Sequence, residues 1–92
     1  MKIVFLPSSV EDLSWFKNYY GSIFPEGEIK AQQHFLNVCQ LLEANPYMGR
    51  RGEVAGIREM HIPKTPFTLI YRLSRHHLEV LRLWDERQGP FD

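Results

Sequence analysis

The stretch from Ile57 to Trp84, which reads IREMHIPKTPFTLIYRLSRHHLEVLRLW, decides the fold of this chain. It contains three runs rich in β-branched and aromatic residues, at about 57–62, 67–73 and 78–84, and such runs are typical of strands. In the middle run every second residue is apolar, so one face of that strand is expected to be buried. In the last run apolar residues fall on both faces, which predicts a central strand of a sheet.

The connections between these three runs are short. Residues 63–66, Pro-Lys-Thr-Pro, contain too much proline for a helix. Residues 74–77, Ser-Arg-His-His, are typical of a hairpin turn, and we interpret His76 and His77 as exposed turn residues. Short connections of this kind join neighbouring antiparallel strands, so the second half of the chain is predicted to form an antiparallel sheet.

Upstream of this stretch, the sequence predicts one further strand and the start of a helix. Lys2–Leu6 is a short apolar run, and we expect a strand that is buried on both faces. Ser8 and Ser9 each precede an acidic residue by three positions, Glu11 and Asp12, and this is a capping-box pattern. The hydroxyl and carboxylate groups are therefore expected to satisfy free N–H groups where the helix begins.

Two apolar patterns of helical period follow, over about 10–23 and 25–45. The second helix must end before Pro46, because the residue preceding a proline is pushed out of helical conformation. Residues 46–56 are predicted to be a loop. The order β-α-α-β-β-β indicates an α+β fold, a small antiparallel sheet with an N-terminal helical hairpin packed on one face. The other face is expected to carry Arg58, Arg72 and Arg82.

Length and composition limit the classes of protein to which the chain can belong. Its 92 residues indicate one domain, 1–92. Eleven basic and eleven acidic residues give a net charge of zero. A protein without excess positive charge is expected to bind nucleic acid only weakly on its own. No apolar run predicts a membrane span or a secretory signal. Cys39 is the only cysteine, so no internal disulfide is possible and a cytoplasmic location is expected. No Cys and His cluster has zinc spacing, and we expect neither a metal nor a cofactor.

Four short motifs in the second half are together typical of one protein family. They are NPYMGR at 45–50, VAGIRE at 54–59, PFTLIYR at 66–72 and LEVLRL at 78–83. None is specific alone, but their order and spacing, behind a strand and a helical hairpin, resemble the RelE/ParE superfamily of bacterial toxins. The resemblance covers almost the whole chain.

The resemblance implies the toxin of a type II toxin–antitoxin system, which inhibits growth when free and is neutralised by a cognate antitoxin. RelE-like members cut mRNA in the ribosomal A site, whereas ParE-like members poison DNA gyrase, and a shared fold does not decide between them. The arginine set suits phosphate and favours a ribosome-dependent mRNA endonuclease, with the ribosome and mRNA as partners. A non-enzymatic gyrase inhibitor and an inactive member that retains only antitoxin binding are the alternatives.

RNA cleavage by a ribose 2′-OH needs a base, an acid and cations that stabilise the phosphorane charge. The predicted catalytic residues are Arg58, Arg72, Asp85 and Arg87. The predicted RNA-binding cations are Arg50, Lys64 and Arg82. Further candidate proton carriers are Glu59, His61 and Glu86. If the chain cleaves RNA, Arg58, Arg72 and Arg87 are expected to converge on one concave face.

Several of these residues also have a structural interpretation. Arg58 and Arg72 can cover the sheet with their aliphatic stems or pair with an acid of the antitoxin. Asp85 stands where many superfamily members have a histidine, and an aspartate is a weak base unless burial raises its pKa. Trp84 is interpreted as a core residue, and the C-terminal segment 89–92 is expected to fray.

Overall fold

The computed structural model describes residues 1–91 and shows a five-stranded sheet with two helices. The strands are β1 Lys2–Phe5, β2 Arg50–Arg51, β3 Ile57–His61, β4 Phe67–Leu73 and β5 His77–Asp85. Helix α1 spans Val10–Asn18 and helix α2 spans Glu28–Ala44. The remaining helical turns are Pro7–Ser9, Tyr19–Ile23, Pro25–Gly27 and Glu86–Gln88. The expected α+β class with an N-terminal helical hairpin is confirmed.

The strands lie in the order β1-β5-β4-β3-β2. The pairs β2–β3, β3–β4 and β4–β5 are antiparallel, as the short connections predict. β1 pairs in parallel with β5, since the helical hairpin carries the chain back before the later strands begin. The sheet is therefore mixed, and β5 is a central strand between β1 and β4.

The core lies between the helical hairpin and one face of the sheet, which we call the helix side. Phe67, Leu69 and Tyr71 of β4 are fully buried there. The ring of Phe67 meets that of Phe16 at 4.9 Å and that of Tyr20 at 6.2 Å between centroids. Each aromatic side chain buries a large area, which lets a chain of this size form an adequate core.

β1 is only partly buried, so the expectation of burial on both faces is wrong. Ile3, Val4 and Phe5 are each partly exposed and Lys2 is exposed. The physical reason is position: β1 is an edge strand, and both helices pack on a single face of the sheet. An apolar run of four residues does not distinguish an edge strand from a central one.

The predicted capping box does not form. Ser9 Oγ donates instead to the Leu6 carbonyl at 2.8 Å, and no side chain caps α1. The carboxylate of Asp12 accepts from Arg82 Nε at 2.6 Å and from the Leu83 backbone N–H at 3.1 Å. A guanidinium gives a stronger, charge-assisted bond than a helical N–H. The result ties α1 to the part of β5 that extends beyond β1.

The segment 46–56, predicted to be a loop, contains the two-residue strand β2. Arg50 pairs with Glu59 and Arg51 with Arg58 of β3. Two residues are too few to show an alternating pattern, so the sequence carries no signal for this strand. Within residues 1–91, no helix is long and apolar enough to span a membrane.

Candidate functional site

The sheet face opposite the helices, which we call the outer face, collects most of the polar residues of the strands. Cross-strand partners place the following side chains together on it: Ile57, Glu59, His61, Thr68, Ile70, Arg72, Glu79, Arg82 and Trp84. Ile70 and Thr68 are almost fully buried although no helix covers them. The outer face therefore contains a cleft whose floor is shielded by longer side chains around it.

One wall of this cleft is an acid–base group, which we call the outer-face cluster. It consists of Arg50, Glu59, His61, Thr68 and Glu86 around a cavity of about 430 Å³. Arg50 Nη2 donates to Glu59 Oε1 at 2.9 Å, and Thr68 Oγ1 donates to Glu86 Oε1 at 2.7 Å. His61 Nδ1 lies 3.5 Å from Glu86 Oε2. Four of these five residues were predicted as cations or proton carriers, so the structure brings part of the predicted set together.

The opposite wall is formed by Trp84 and the C-terminal segment, around a cavity of about 470 Å³. Trp84 Nε1 donates to the Gly89 carbonyl at 2.7 Å, and the ring of Phe91 packs edge-on against Trp84 at 5.3 Å. Gly89 has φ +99°, a conformation that favours glycine and turns the chain back over the sheet. Residues 89–91, where fraying is expected, therefore lie against the sheet, while Asp92 lies outside the described residues. Trp84 is partly exposed on the outer face rather than in the core.

Asp85 and Arg87 form a tight ion pair on the helix side, away from the outer-face cluster. Arg87 Nη2 and Nε reach the two carboxylate oxygens of Asp85 at 2.6 Å and 2.9 Å. Trp15 Nε1 donates to the same carboxylate at 3.0 Å, and the guanidinium stacks on Tyr19 at 4.4 Å. These contacts, led by Arg87, lower the pKa of Asp85 to about 2. A carboxylate held this firmly in its ionised form is a poor general base at neutral pH.

Arg58 holds the loop before β2 and lies on the helix side. Its Nη1 donates to the carbonyls of Tyr47 at 3.1 Å and Gly49 at 2.8 Å, and its guanidinium stacks over the Tyr47 ring at 5.1 Å. The hydroxyl of Tyr71 accepts from the Gly49 N–H and donates to the Pro46 carbonyl, both at 2.9 Å. Burial raises the pKa of Tyr71, so this hydroxyl stays protonated and the loop stays anchored.

The other predicted cations are dispersed. Arg72 Nε donates to Glu79 Oε1 at 2.6 Å on the outer face, and this contact lowers the pKa of Glu79. Arg82 is paired with Asp12, and Lys64 is exposed in the turn between β3 and β4 with φ 60°. The structure does not bring Arg58, Arg72 and Arg87 together, because only Arg72 lies on the outer face. The expected convergence and the placement of Arg58 on the outer face are both wrong.

Replacing Arg58 by alanine is expected to lower the free energy of unfolding by about 2 kcal/mol, because two carbonyl groups lose a charged donor. Chemical denaturation monitored by tryptophan fluorescence measures the change. Arg75→Ala, at an exposed turn position, is the matched control and should stay within about 0.5 kcal/mol of the parent. Equal stability of the two variants would show that Arg58 does not anchor the loop.

Sequence reasoning missed two residues that organise these contacts. Thr68 links His61 and Glu86 across β3 and the C-terminal turn, and Trp15 supports Asp85 from α1. Alternation places Thr68 on the polar face of β4, but the register that sets it opposite His61 is not readable from the sequence. Among residues 1–91, no three His, Cys, Asp or Glu side chains are grouped as a metal site would need.

Comparison with known proteins identifies the family. The model of a family described as ParE toxin of type II toxin-antitoxin system, parDE, matches residues 3–90. The chain belongs to the ParE toxin family. It is therefore the toxin of a type II toxin–antitoxin system, and a cognate antitoxin is its partner. The resemblance to RelE/ParE toxins drawn from the sequence is confirmed.

A solved structure supports the same assignment. The chain is similar to a protein described as "Chromosomal ParDE TA system from P. aeruginosa", with 28% sequence identity and a TM-score of 0.71. The match covers 90% of this chain and 92% of that chain. No curated protein sequence matches the chain.

Proposed function

We propose that this ParE-family toxin inhibits growth by binding a protein target, DNA gyrase, and not by cutting mRNA. The resemblance implies gyrase for ParE-like members. The observation that carries the proposal is the state of the six predicted catalytic and RNA-binding cations. Four of them already pair with a carboxylate: Arg50 with Glu59, Arg72 with Glu79, Arg82 with Asp12 and Arg87 with Asp85.

A paired guanidinium is poorly suited to RNA cleavage. It stabilises developing negative charge on a phosphorane less than an unpaired one, because the neighbouring carboxylate repels that charge. The predicted base, Asp85, is also held ionised by Arg87 and Trp15. The predicted catalytic set therefore lacks both an available base and cations directed at one point.

The outer face around Trp84 suits protein recognition. Arg82 stacks on Trp84 at 5.0 Å, and Phe91 packs beside it. Tryptophan and arginine are the side chains that most often dominate protein interfaces. Paired charges around them give a surface of mixed sign, which selects a complementary protein more readily than the uniform charge of a nucleic acid.

Two assays with purified toxin test the proposal directly. Supercoiling of a plasmid by purified gyrase should fall as toxin is added, and toxin preincubated with its antitoxin should have no effect. A translating ribosome extract should show no toxin-dependent cut in its mRNA. Loss of mRNA integrity with unaffected gyrase would overturn the proposal.

The outer-face cluster is the observation that favours RNA cleavage as a second candidate function. His61 and Glu86 lie within 3.5 Å of each other, and Arg50 lines the same cleft. Such a group contains a possible base, a possible acid and a cation. It differs from the predicted catalytic set, because it uses Arg50 and His61 in place of Arg58 and Asp85.

The double substitution His61→Ala with Glu86→Gln separates the two candidate functions. If the toxin binds gyrase, growth inhibition in cells should not depend on proton transfer, and the variant should arrest growth like the parent. If the cluster cleaves RNA, the rate of cleavage should fall roughly 10²- to 10⁴-fold. A plating assay from an inducible promoter measures the effect, and thermal unfolding checks that the variant is folded.

A further inference from the structure

A second groove lies at the end of the sheet where β2 and β3 meet, beside the loop before β2, and we call it the edge groove. Its volume is about 420 Å³. Its apolar lining comes mainly from Tyr47, Val54, Ile57 and Leu73. Tyr47 is 70% exposed and Val54 is 52% exposed, and both lie at the same groove. Apolar side chains left open around a groove are typical of a contact surface.

The charge of the edge groove is of one sign. Arg51 and Arg58 are its only charged lining residues, and within residues 1–91 neither forms an ion pair with a carboxylate. Glu53, the nearest acid along the chain, lines the outer-face cleft, to whose lining Arg51 also contributes. The whole chain has no net charge. The groove therefore concentrates two positive charges that the chain itself does not neutralise.

One of these two charges is fixed in place. The backbone carbonyls of Tyr47 and Gly49 and the Tyr47 ring hold the Arg58 guanidinium. Arg51, next to it in the register across β2 and β3, is exposed. A cation that is already ordered loses little conformational freedom when it binds a carboxylate.

We propose that the edge groove is a docking site for the antitoxin, and that it takes a segment carrying acidic side chains beside apolar ones. Arginine binds carboxylates with two parallel hydrogen bonds, and the apolar lining accommodates the neighbouring side chains. The antitoxin is the protein partner that family membership requires. The inference concerns the neutralising partner and holds whichever target the free toxin attacks.

The test compares Arg51→Glu with Arg75→Glu, a matched charge reversal in an exposed turn outside the groove lining. Dissociation constants for the cognate antitoxin are measured by competition at low and high salt. Arg51→Glu should weaken binding by about tenfold or more, and high salt should narrow the difference. Arg75→Glu should bind within about threefold of the parent, and equal melting temperatures should show that both variants are folded.

Photo-cross-linking locates the bound segment. A photoreactive side chain replacing Val54 should cross-link an antitoxin peptide that contains Asp or Glu. Cross-linking to a peptide without acidic residues, or wild-type affinity of Arg51→Glu, would overturn the proposal. A third result would also overturn it. If Arg51→Glu lost affinity for a uridine decamer but bound the antitoxin as the parent does, the groove would be a nucleic-acid site.

Discussion

The variant Asp85→Ala is expected to lose about 3 kcal/mol of unfolding free energy at neutral pH. Asp85 is 5% exposed and accepts bonds from Arg87 and Trp15. Removing this carboxylate leaves the half-exposed Arg87 guanidinium without its bidentate partner, and the Trp15 indole N–H and the Arg87 backbone N–H without their acceptor. For a domain of this size the midpoint of thermal unfolding should fall by roughly 10–20 °C.

The same carboxylate makes stability depend on pH in the acid range. Its pKa falls from 3.8 in the unfolded chain to about 2 in the folded protein. A group with a lowered pKa stabilises the fold above its unfolded pKa, so this contribution is present above about pH 4 and is lost as pH falls through 2. The shift corresponds to about 2 kcal/mol.

Denaturant unfolding at pH 7 and pH 2 measures both effects. The parent should lose more stability than Asp85→Ala between the two conditions, since the variant lacks the titrating group. Glu53→Gln, a change at an exposed carboxylate, should follow the parent. If the parent and Asp85→Ala lost equal amounts of unfolding free energy between pH 7 and pH 2, the Asp85–Arg87 pair would contribute nothing to the pH dependence of stability.

Gly49→Ala is expected to destabilise the fold by about 2–3 kcal/mol. A Cβ at this position would lie 2.5 Å from the Tyr71 hydroxyl and 2.8 Å from the Glu59 carbonyl. Both atoms belong to the sheet, so the loop would have to move away. The Gly49–Tyr71 hydrogen bond would then weaken and add to the cost of overpacking.

Gly21→Ala is the matched control for this substitution. A Cβ at Gly21 meets no atom within 4 Å, and its φ is not in the left-handed region. The control should therefore be neutral or stabilise the protein by up to about 1 kcal/mol, because alanine restricts the unfolded chain. If Gly49→Ala were as stable as Gly21→Ala, the loop before β2 would not be anchored by Tyr71.

The sequence predicts the strands and helices well where the periodicity is long. The run 67–73 coincides with β4, 57–62 is one residue longer than β3 at its end, and 78–84 is one residue shorter than β5 at each end. β2 is too short to have a period. The capping box failed at Asp12 because a partner far away in the sequence, Arg82, competes for the same carboxylate.

The candidate site was only partly predictable, because it depends on register and on which charges pair. Alternation alone places Arg58 and Glu59 on opposite faces of β3, but it does not say which face the helices cover. Asp85 was predicted as a possible base because the sequence does not show whether an aspartate is exposed or buried, or with which groups it pairs. Its partners Arg87 and Trp15 become visible only in the folded chain.

We have proposed that this ParE-family toxin acts on DNA gyrase and not on mRNA. Pulse-labelling of amino acid and thymidine incorporation, in the first minutes after induction without antitoxin, tests it most directly. If gyrase is the target, DNA synthesis should stop first while translation continues. Protein synthesis stopping first would contradict it and direct attention to His61 and Glu86 as an active site.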